Sequence, residues 1–371
     1  MIKTKKIYNI ILVLSGLFLL SFVVCLFTGY VAKAGPLLTI FFILLAISFY
    51  GYMQLRSYVY TVMIFAAVSL AMYYPEYFLE VNGFKLTGLI TPLIQVIMFG
   101  MGTSMSAGDF LAVAKEPKGV FVGVTAQFII MPLSGYLLAL ISGFPGEIAA
   151  GIVLIGCSPS GMASNVMAYL ARANLALSLT ITSIATLVAP FLTPLLMKML
   201  AGEFIAIDVL TMMWGIVKMI IIPIGAGLIF NKLIRGKSTW IDKVMPIVSM
   251  AGIALIIVVI TAAGRDSLLD IGLLLILLVL IHNIFGYTMG YWYGRFFRLS
   301  EKDCRTIAIE VGMQNGGLAS AIANNLGKIA TMGLAPAIFG PLMNVTGSVL
   351  ASFWHKRPIP EKSSVEAQGK I

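Results

Sequence analysis

Apolar residues run along this chain in stretches of about twenty, separated by short polar gaps, and that pattern predicts the architecture before any single residue is considered. A bilayer core is crossed by about 20 apolar residues in helical form, because an open backbone there cannot satisfy its amide groups. Twelve stretches qualify, at 8–31, 35–53, 57–75, 86–104, 119–143, 146–170, 174–200, 206–231, 241–263, 268–297, 304–326 and 330–354. The stretch at 268–297 is long enough to include an interfacial turn. Met1 to Lys6, the apolar run from Tyr8 to Val31 and the Ala32-Lys33-Ala34 triplet have the outline of a signal peptide. The apolar part is too long for one and a second follows almost at once, so it reads as a retained span. The fold class expected is an all-α polytopic membrane protein.

Composition agrees and narrows the choice of partners. Of 371 residues 60% are hydrophobic and 11% charged, with a mean hydropathy of +1.00. A soluble domain would be about a quarter charged. The net charge of +10 does not imply a nucleic-acid partner, because the Lys and Arg residues sit in short gaps and form no continuous basic face. Their distribution gives a direction instead. With the amino terminus in the cytoplasm, nineteen of the 25 basic residues fall inside, among them Lys115, Arg235, Lys237, Lys243, Lys362 and Lys370. Lys33, Lys85, Lys198, Arg265 and Lys328 fall outside, and Lys218 lies within a span. This is the positive-inside pattern, so a multi-pass protein of the inner (plasma) membrane with both termini cytoplasmic is expected. Three cysteines, each in or beside an apolar run, make no disulfide framework.

The chain also echoes itself. Gly161-Met162-Ala163-Ser164 is answered by Gly317-Leu318-Ala319-Ser320, each in the fourth span of a five-span block. The blocks cover 57–202 and 203–355, and an odd number of spans sends the second in from the opposite side, as in an inverted repeat. Residues 1–56 are left as an extension with two extra spans, and 356–371 as a polar tail expected to be disordered. Both echoing spans are polar for their depth, at Cys157-Ser158-Pro159-Ser160-Gly161 and Glu310-Val311-Gly312-Met313-Gln314-Asn315-Gly316-Gly317. Proline removes an amide donor and paired glycines weaken a helix, so each span is expected to break near mid-membrane. Broken backbone is tolerated only where it lines a cavity, and there it offers carbonyls and amides to ions and small charged substrates. Two breaks at matched positions, one with a carboxylate, favour a site over a pair of kinks filled by neighbours. Glu310 must be protonated, paired or bound to a cation.

At these residues the chain resembles the bile acid:sodium symporter family over roughly residues 57 to 355. The resemblance rests on Met98-Phe99-Gly100-Met101-Gly102, Ala126-Gln127-Phe128, Pro159 to Asn165, Ala176-Leu177-Ser178 with Thr182, Glu310 to Asn315, and His282-Asn283 with Gly286. It implies a ten-helix core of two inverted five-helix repeats, divided into a panel and a core domain, with two broken helices that cross. It also implies two sodium sites, one of Ser164, Asn165, Ser178, Thr182 and Glu310, the other of Gln127, Glu310, Gln314 and the carbonyls of Val311 and Met313. Hydroxyls, amides, carbonyls and one carboxylate are what a hard cation prefers, with no soft or imidazole ligand among them. Asn315 and Asn344, with Met162, would face the substrate. The sequence departs from the family's usual motif at Ser160, where glycine is usual, and at Met162, where threonine is common, so substrate identity does not carry over.

The expected function is sodium-coupled symport of an organic anion, a small carboxylate such as a pantoate-like acid or a bile-acid-like one, with no organic cofactor. A cation:proton exchanger is the nearer rival, but Asp109, Asp208, Asp242, Asp266, Asp270 and Asp303 all fall at span ends or loops. An intramembrane enzyme is the further one, and no His-Glu-x-x-His run or activated nucleophile is evident. Lys218 and His282 are read as structural ahead of functional. Gly286, Gly290 and Gly294 are read as a helix-packing stripe. The two extra spans are left open between support of the panel, a homodimer contact and an aid to insertion.

Overall fold

The computed structural model describes residues 2–53, 55–105, 117–234 and 239–357. Asp109, Lys115, Arg235, Lys237, and the tail from 358 with Lys362 and Lys370, lie outside the described residues, as do the side chains of Lys33, Asp242 and Lys243. Among the described residues the chain forms helices α1 (Ile2–Phe27), α2 (Val31–Tyr50), α3 (Val59–Tyr73), the short α4 (Glu76–Leu79) and α5 (Ile90–Ser104). They continue as α6 (Pro117–Ser142), α7 (Gly146–Cys157), α8 (Ala163–Leu170), α9 (Leu175–Leu200), α10 (Val209–Met219) and α11 (Ile221–Ile234). The last are α12 (Thr239–Ala263), α13 (Arg265–Phe296), α14 (Glu301–Gly312), α15 (Gly316–Asn325) and α16 (Leu334–His355). Seven helical stretches among the described residues are long and apolar enough to cross a membrane, and four shorter apolar helices accompany them.

Three details depart from the sequence expectation. The 268–297 stretch holds no turn: α13 is one helix of 32 residues, about 48 Å long at 1.5 Å per residue, so it tilts or protrudes from a core about 30 Å thick. The 206–231 stretch is two helices, because α10 ends at Met219 and α11 starts at Ile221. Pro223 explains the division: it has no amide to give the carbonyl four residues back, which is that of Met219. A hairpin joins Glu80–Val81 to Phe84–Lys85 before α5. Its turn is Asn82-Gly83, both at positive φ, the pairing that a two-residue hairpin turn favours.

The extra helices α1 and α2 pack as a pair, and α2 packs on α3, where Thr39 and Ser69 hydroxyls hydrogen-bond at 2.9 Å. α5 lies along α11 and α12. On the other side α6 packs on α7, α13 and α14, and α13 runs beside α14 through the glycine stripe. A Cβ on Gly290 would stand 3.0 Å from the Ala308 Cα, and one on Gly294 3.2 Å from that of Cys304. The stripe therefore seats α14, the helix that carries Glu310.

Candidate functional site

Both polar spans are interrupted, and the interruptions meet. α7 stops at Cys157 and α8 starts at Ala163; α14 stops at Gly312 and α15 starts at Gly316. Ser160 and Gln314 form an antiparallel bridge, in which Gly161 donates its amide to the Met313 carbonyl at 3.0 Å and Asn315 to the Pro159 carbonyl at 2.8 Å. The broken ends are thus tied to each other by backbone. The carbonyls that each break would orphan have side-chain partners. Thr193 on α9 donates to the Cys157 carbonyl at 2.7 Å, and Gln127 on α6 to that of Ser158 at 2.9 Å. Asn283 on α13 donates to the Gly312 carbonyl at 2.7 Å, and Gln314 to that of Val311 at 2.6 Å. Four helix ends converge here, two carboxyl and two amino.

Glu310, fully buried, sits at the end of α14 beside the crossing. Ser178 donates to its Oε1 at 2.5 Å, and Ser160 and Thr182 to its Oε2 at 2.6 and 2.8 Å. Ser178 and Thr182 stand four residues apart on α9, one turn, and so share a face. Asn165 Oδ1, from α8, lies 2.9 Å from the Ser178 hydroxyl and 3.3 Å from that of Thr182. Ser164 gives its proton to the Gly161 carbonyl at 2.8 Å and lies 3.4 Å from the Thr182 Oγ1. The first expected set is therefore gathered in one place. A hydroxyl has a single proton, so the carboxylate and the Asn165 oxygen compete for the same two, those of Ser178 and Thr182. Oxygen lone pairs here outnumber the protons available to them.

The second expected set is adjacent. Gln127 Nε2 lies 2.7 Å from Gln314 Oε1, so the two amides link α6 to both breaks. The Gln127 Oε1 is buried without a hydrogen-bond partner. The Val311 and Met313 carbonyls each accept one bond and keep a second lone pair. The hydrogen bonds of Glu310 run to the first set and to Ser160, not to the two glutamines.

The three substrate candidates are not joined by hydrogen bonds. Asn315 caps α15 by accepting from the Leu318 amide at 3.0 Å, Asn344 donates to the Gly340 carbonyl of its own helix at 3.1 Å, and Met162 is 39% exposed. Sequence reasoning left out Ser160, although a hydroxyl beside the helix-breaking Pro159, at a position that departs from the motif, was the available signal. The Nε2 of His282 meets the Met131 carbonyl at 3.0 Å and its ring stands edge-on to Phe339, while its Nδ1 is buried without a hydrogen-bond partner. Lys218 is exposed in the last turn of α10, where its carbonyl accepts from Gln95 at 3.3 Å. Asp208 caps α10, Asp303 accepts from Ser300 at the start of α14, and Asp266 and Asp270 are exposed on the first turns of α13.

Crossed, interrupted helices inside an apolar bundle are the architecture of a secondary transporter. The model of the sodium bile acid symporter family matches residues 91–271, which takes in the first break. A Bacillus subtilis (strain 168) protein named "Uncharacterized sodium-dependent transporter YocS" is 37% identical over 297 residues, 80% of this chain and 90% of that protein. In rice (Oryza sativa subsp. japonica), a "Probable sodium/metabolite cotransporter BASS1, chloroplastic" is 31% identical, over 80% of this chain and 72% of its own. In Arabidopsis thaliana, the BASS5 protein of the same description is 33% identical, over 78% and 72%. The chain belongs to the sodium bile acid symporter family, whose members are transporters and not enzymes. The intramembrane-enzyme alternative is set aside on that ground.

Proposed function

We propose that this protein is a symporter that uses sodium to bring a small organic anion into the cell by alternating access. The observation that carries this reading is the surplus of oxygen acceptors at the crossing: Glu310 and Asn165 share two hydroxyl protons, and Gln127 Oε1 has no donor. One sodium ion fits among Ser164, Asn165, Ser178, Thr182 and Glu310. A second fits among Gln127, Gln314 and the Val311 and Met313 carbonyls, with Glu310 between the two. Carboxyl ends of helices carry partial negative charge and amino ends partial positive charge. α7 and α14 turn the first kind toward the crossing and α8 and α15 the second, so cations and an anion each find a complementary field. Two positive ions against one carboxylate leave a charge that an organic anion neutralises. The relatives named as sodium-dependent or sodium/metabolite transporters support the coupling ion and a small substrate.

In this reading α3, α5, α6, α7–α8 and α9 form one repeat, and α10–α11, α12, α13, α14–α15 and α16 its inverted counterpart. The panel consists of α3, α5 and α10 to α12, with α1 and α2 added through α3. The core consists of α6 to α9 and α13 to α16. A seam of neutral bonds joins the two beyond the crossing, where Thr91 donates to Asn325 at 3.0 Å and Asn324 to the Thr87 carbonyl at 3.1 Å. With cytoplasmic termini this seam closes the outer side, and rocking of core against panel must break it.

The test is thermal unfolding of the purified protein with a library of organic anions in sodium and in potassium. A ligand at a hundred times its Kd stabilises the folded state by about 2.7 kcal/mol. Sodium is expected to raise the midpoint over potassium, and the substrate to raise it further only in sodium. Equal anion shifts in the two salts would contradict coupling. Gln127→Leu removes the unpartnered oxygen, so its sodium titration is expected to lose cooperativity and approach a Hill coefficient of one. A titration as steep as that of the unsubstituted protein would remove Gln127 from the second site.

A further inference from the structure

Ser160 occupies a place that neither expected ligand set includes. It is 1% exposed and lies in the isolated antiparallel bridge where the interrupted helices cross. Its side chain and backbone address different groups. The hydroxyl donates to Glu310 Oε2 at 2.6 Å. The backbone bridges to Gln314, whose amide meets Gln127 and the Val311 carbonyl. On either side, Gly161 is bonded to the Met313 carbonyl and Pro159 accepts from Asn315, so the backbone that carries the hydroxyl is tied to the crossing.

We propose that Ser160 is a positioning residue that holds the Glu310 carboxylate at the crossing and so tightens cation binding beyond what a glycine at this place allows; this rests on the sodium reading above. Without that hydroxyl, Oε2 keeps the Thr182 donor at 2.8 Å, and Thr182 lies 3.3 Å from the competing Asn165 oxygen. The carboxylate is then free to rotate toward the first set, where Ser178 holds its other oxygen. The carboxylate is then held less firmly, so sodium affinity falls and the coupling between the two ions weakens. Ser160 gives up its proton to the carboxylate but retains its lone pairs. Its role requires a hydroxyl at that point of the bridge and not merely a side chain of its size.

The experiment is a sodium titration of thermal stability for the full chain and for Ser160→Ala, Ser160→Gly and Ser160→Thr, with a potassium series as baseline and a lithium series for selectivity. Loss of one hydrogen bond to a charged group corresponds to about a tenfold change in affinity. The alanine and glycine variants are expected to need about ten times more sodium, to titrate with a lower Hill coefficient and to show an altered sodium-to-lithium ratio. The threonine variant, which keeps the hydroxyl, is expected to restore the midpoint. The glycine variant decides the matter if the alanine variant does not fold. If folded variants titrate with sodium like the unsubstituted protein, or lose stability in potassium alone with midpoint and Hill coefficient intact, the positioning role is wrong and the sodium sites stand. If the unsubstituted protein itself shows no sodium response, the sodium reading has failed and this inference with it.

Discussion

Glu310→Gln is expected to abolish sodium-dependent uptake while the protein is still made, inserted and folded. Glutamine keeps the volume of the side chain and one acceptor oxygen, so the hydroxyls of Ser160, Ser178 and Thr182 can reorient around it. What disappears is the one negative charge at the crossing. Removing one partner of a buried ion pair costs about 3–5 kcal/mol, which corresponds to a loss of sodium affinity of about a hundredfold or more. Uptake of labelled substrate in sodium should fall to the level seen in potassium, with the potassium unfolding midpoint nearly unchanged. Glu310→Ala should abolish uptake too, with an added loss of stability because the Ser160 hydroxyl loses its acceptor and those of Ser178 and Thr182 are left to the Asn165 oxygen. Near-normal sodium-dependent uptake in a folded Glu310 variant would refute the assignment.

Gly290→Leu is expected to fail in the opposite way, by loss of fold rather than of coupling. A Cβ at this position already stands 3.0 Å from the Ala308 Cα, the Ile307 carbonyl oxygen and the Val311 Cβ. Three of a leucine's four side-chain carbons lie beyond that contact, so α14 must move away from α13, taking Glu310 and the Asn283 bond to the Gly312 carbonyl with it. Overpacking of a well-packed interior costs about 1–3 kcal/mol and sometimes more, and contact with the backbone of α14 puts this substitution at the upper end. The unfolding midpoint should drop in sodium and potassium alike. Gly290→Ala should show a smaller loss of the same kind. If the leucine variant were as stable as the unsubstituted protein, α13 and α14 could not lie as close as the glycines place them.

The two variants separate what the sequence reveals from what it does not. The breaks in the polar spans were legible because Pro159 and the Gly316-Gly317 pair act locally on the backbone, and local effects can be read residue by residue. The glycine stripe was legible for the same reason, since its four-residue spacing is a property of one helix. The division at Ile220 carried a local signal in Pro223, hidden because the residues from Met219 to Ile224 around it are apolar. The Asn82-Gly83 turn was likewise written in the sequence, in a gap too short to stand out against the spans around it.

The crossing itself was another matter. That Thr193 reaches the Cys157 carbonyl and Asn283 that of Gly312 depends on helices far apart in sequence, and no periodicity announces it. Ser160 shows the limit most clearly: its neighbours in sequence mark a break, but only the approach of α14 makes its hydroxyl a partner of Glu310. Resemblance supplied the gathered residues Ser164, Asn165, Ser178 and Thr182, and the structure places them around the carboxylate. In the extension, α1 and α2 pack on each other and α2 packs on α3.

The most direct test is equilibrium binding of radioactive sodium to the purified protein, counted per chain, with Glu310→Gln measured beside it. The account predicts saturable binding of more than one ion per chain, displaced by unlabelled sodium and not by potassium, and lost in the variant. Absence of saturable binding in the unsubstituted protein, or equal binding in Glu310→Gln, would contradict it.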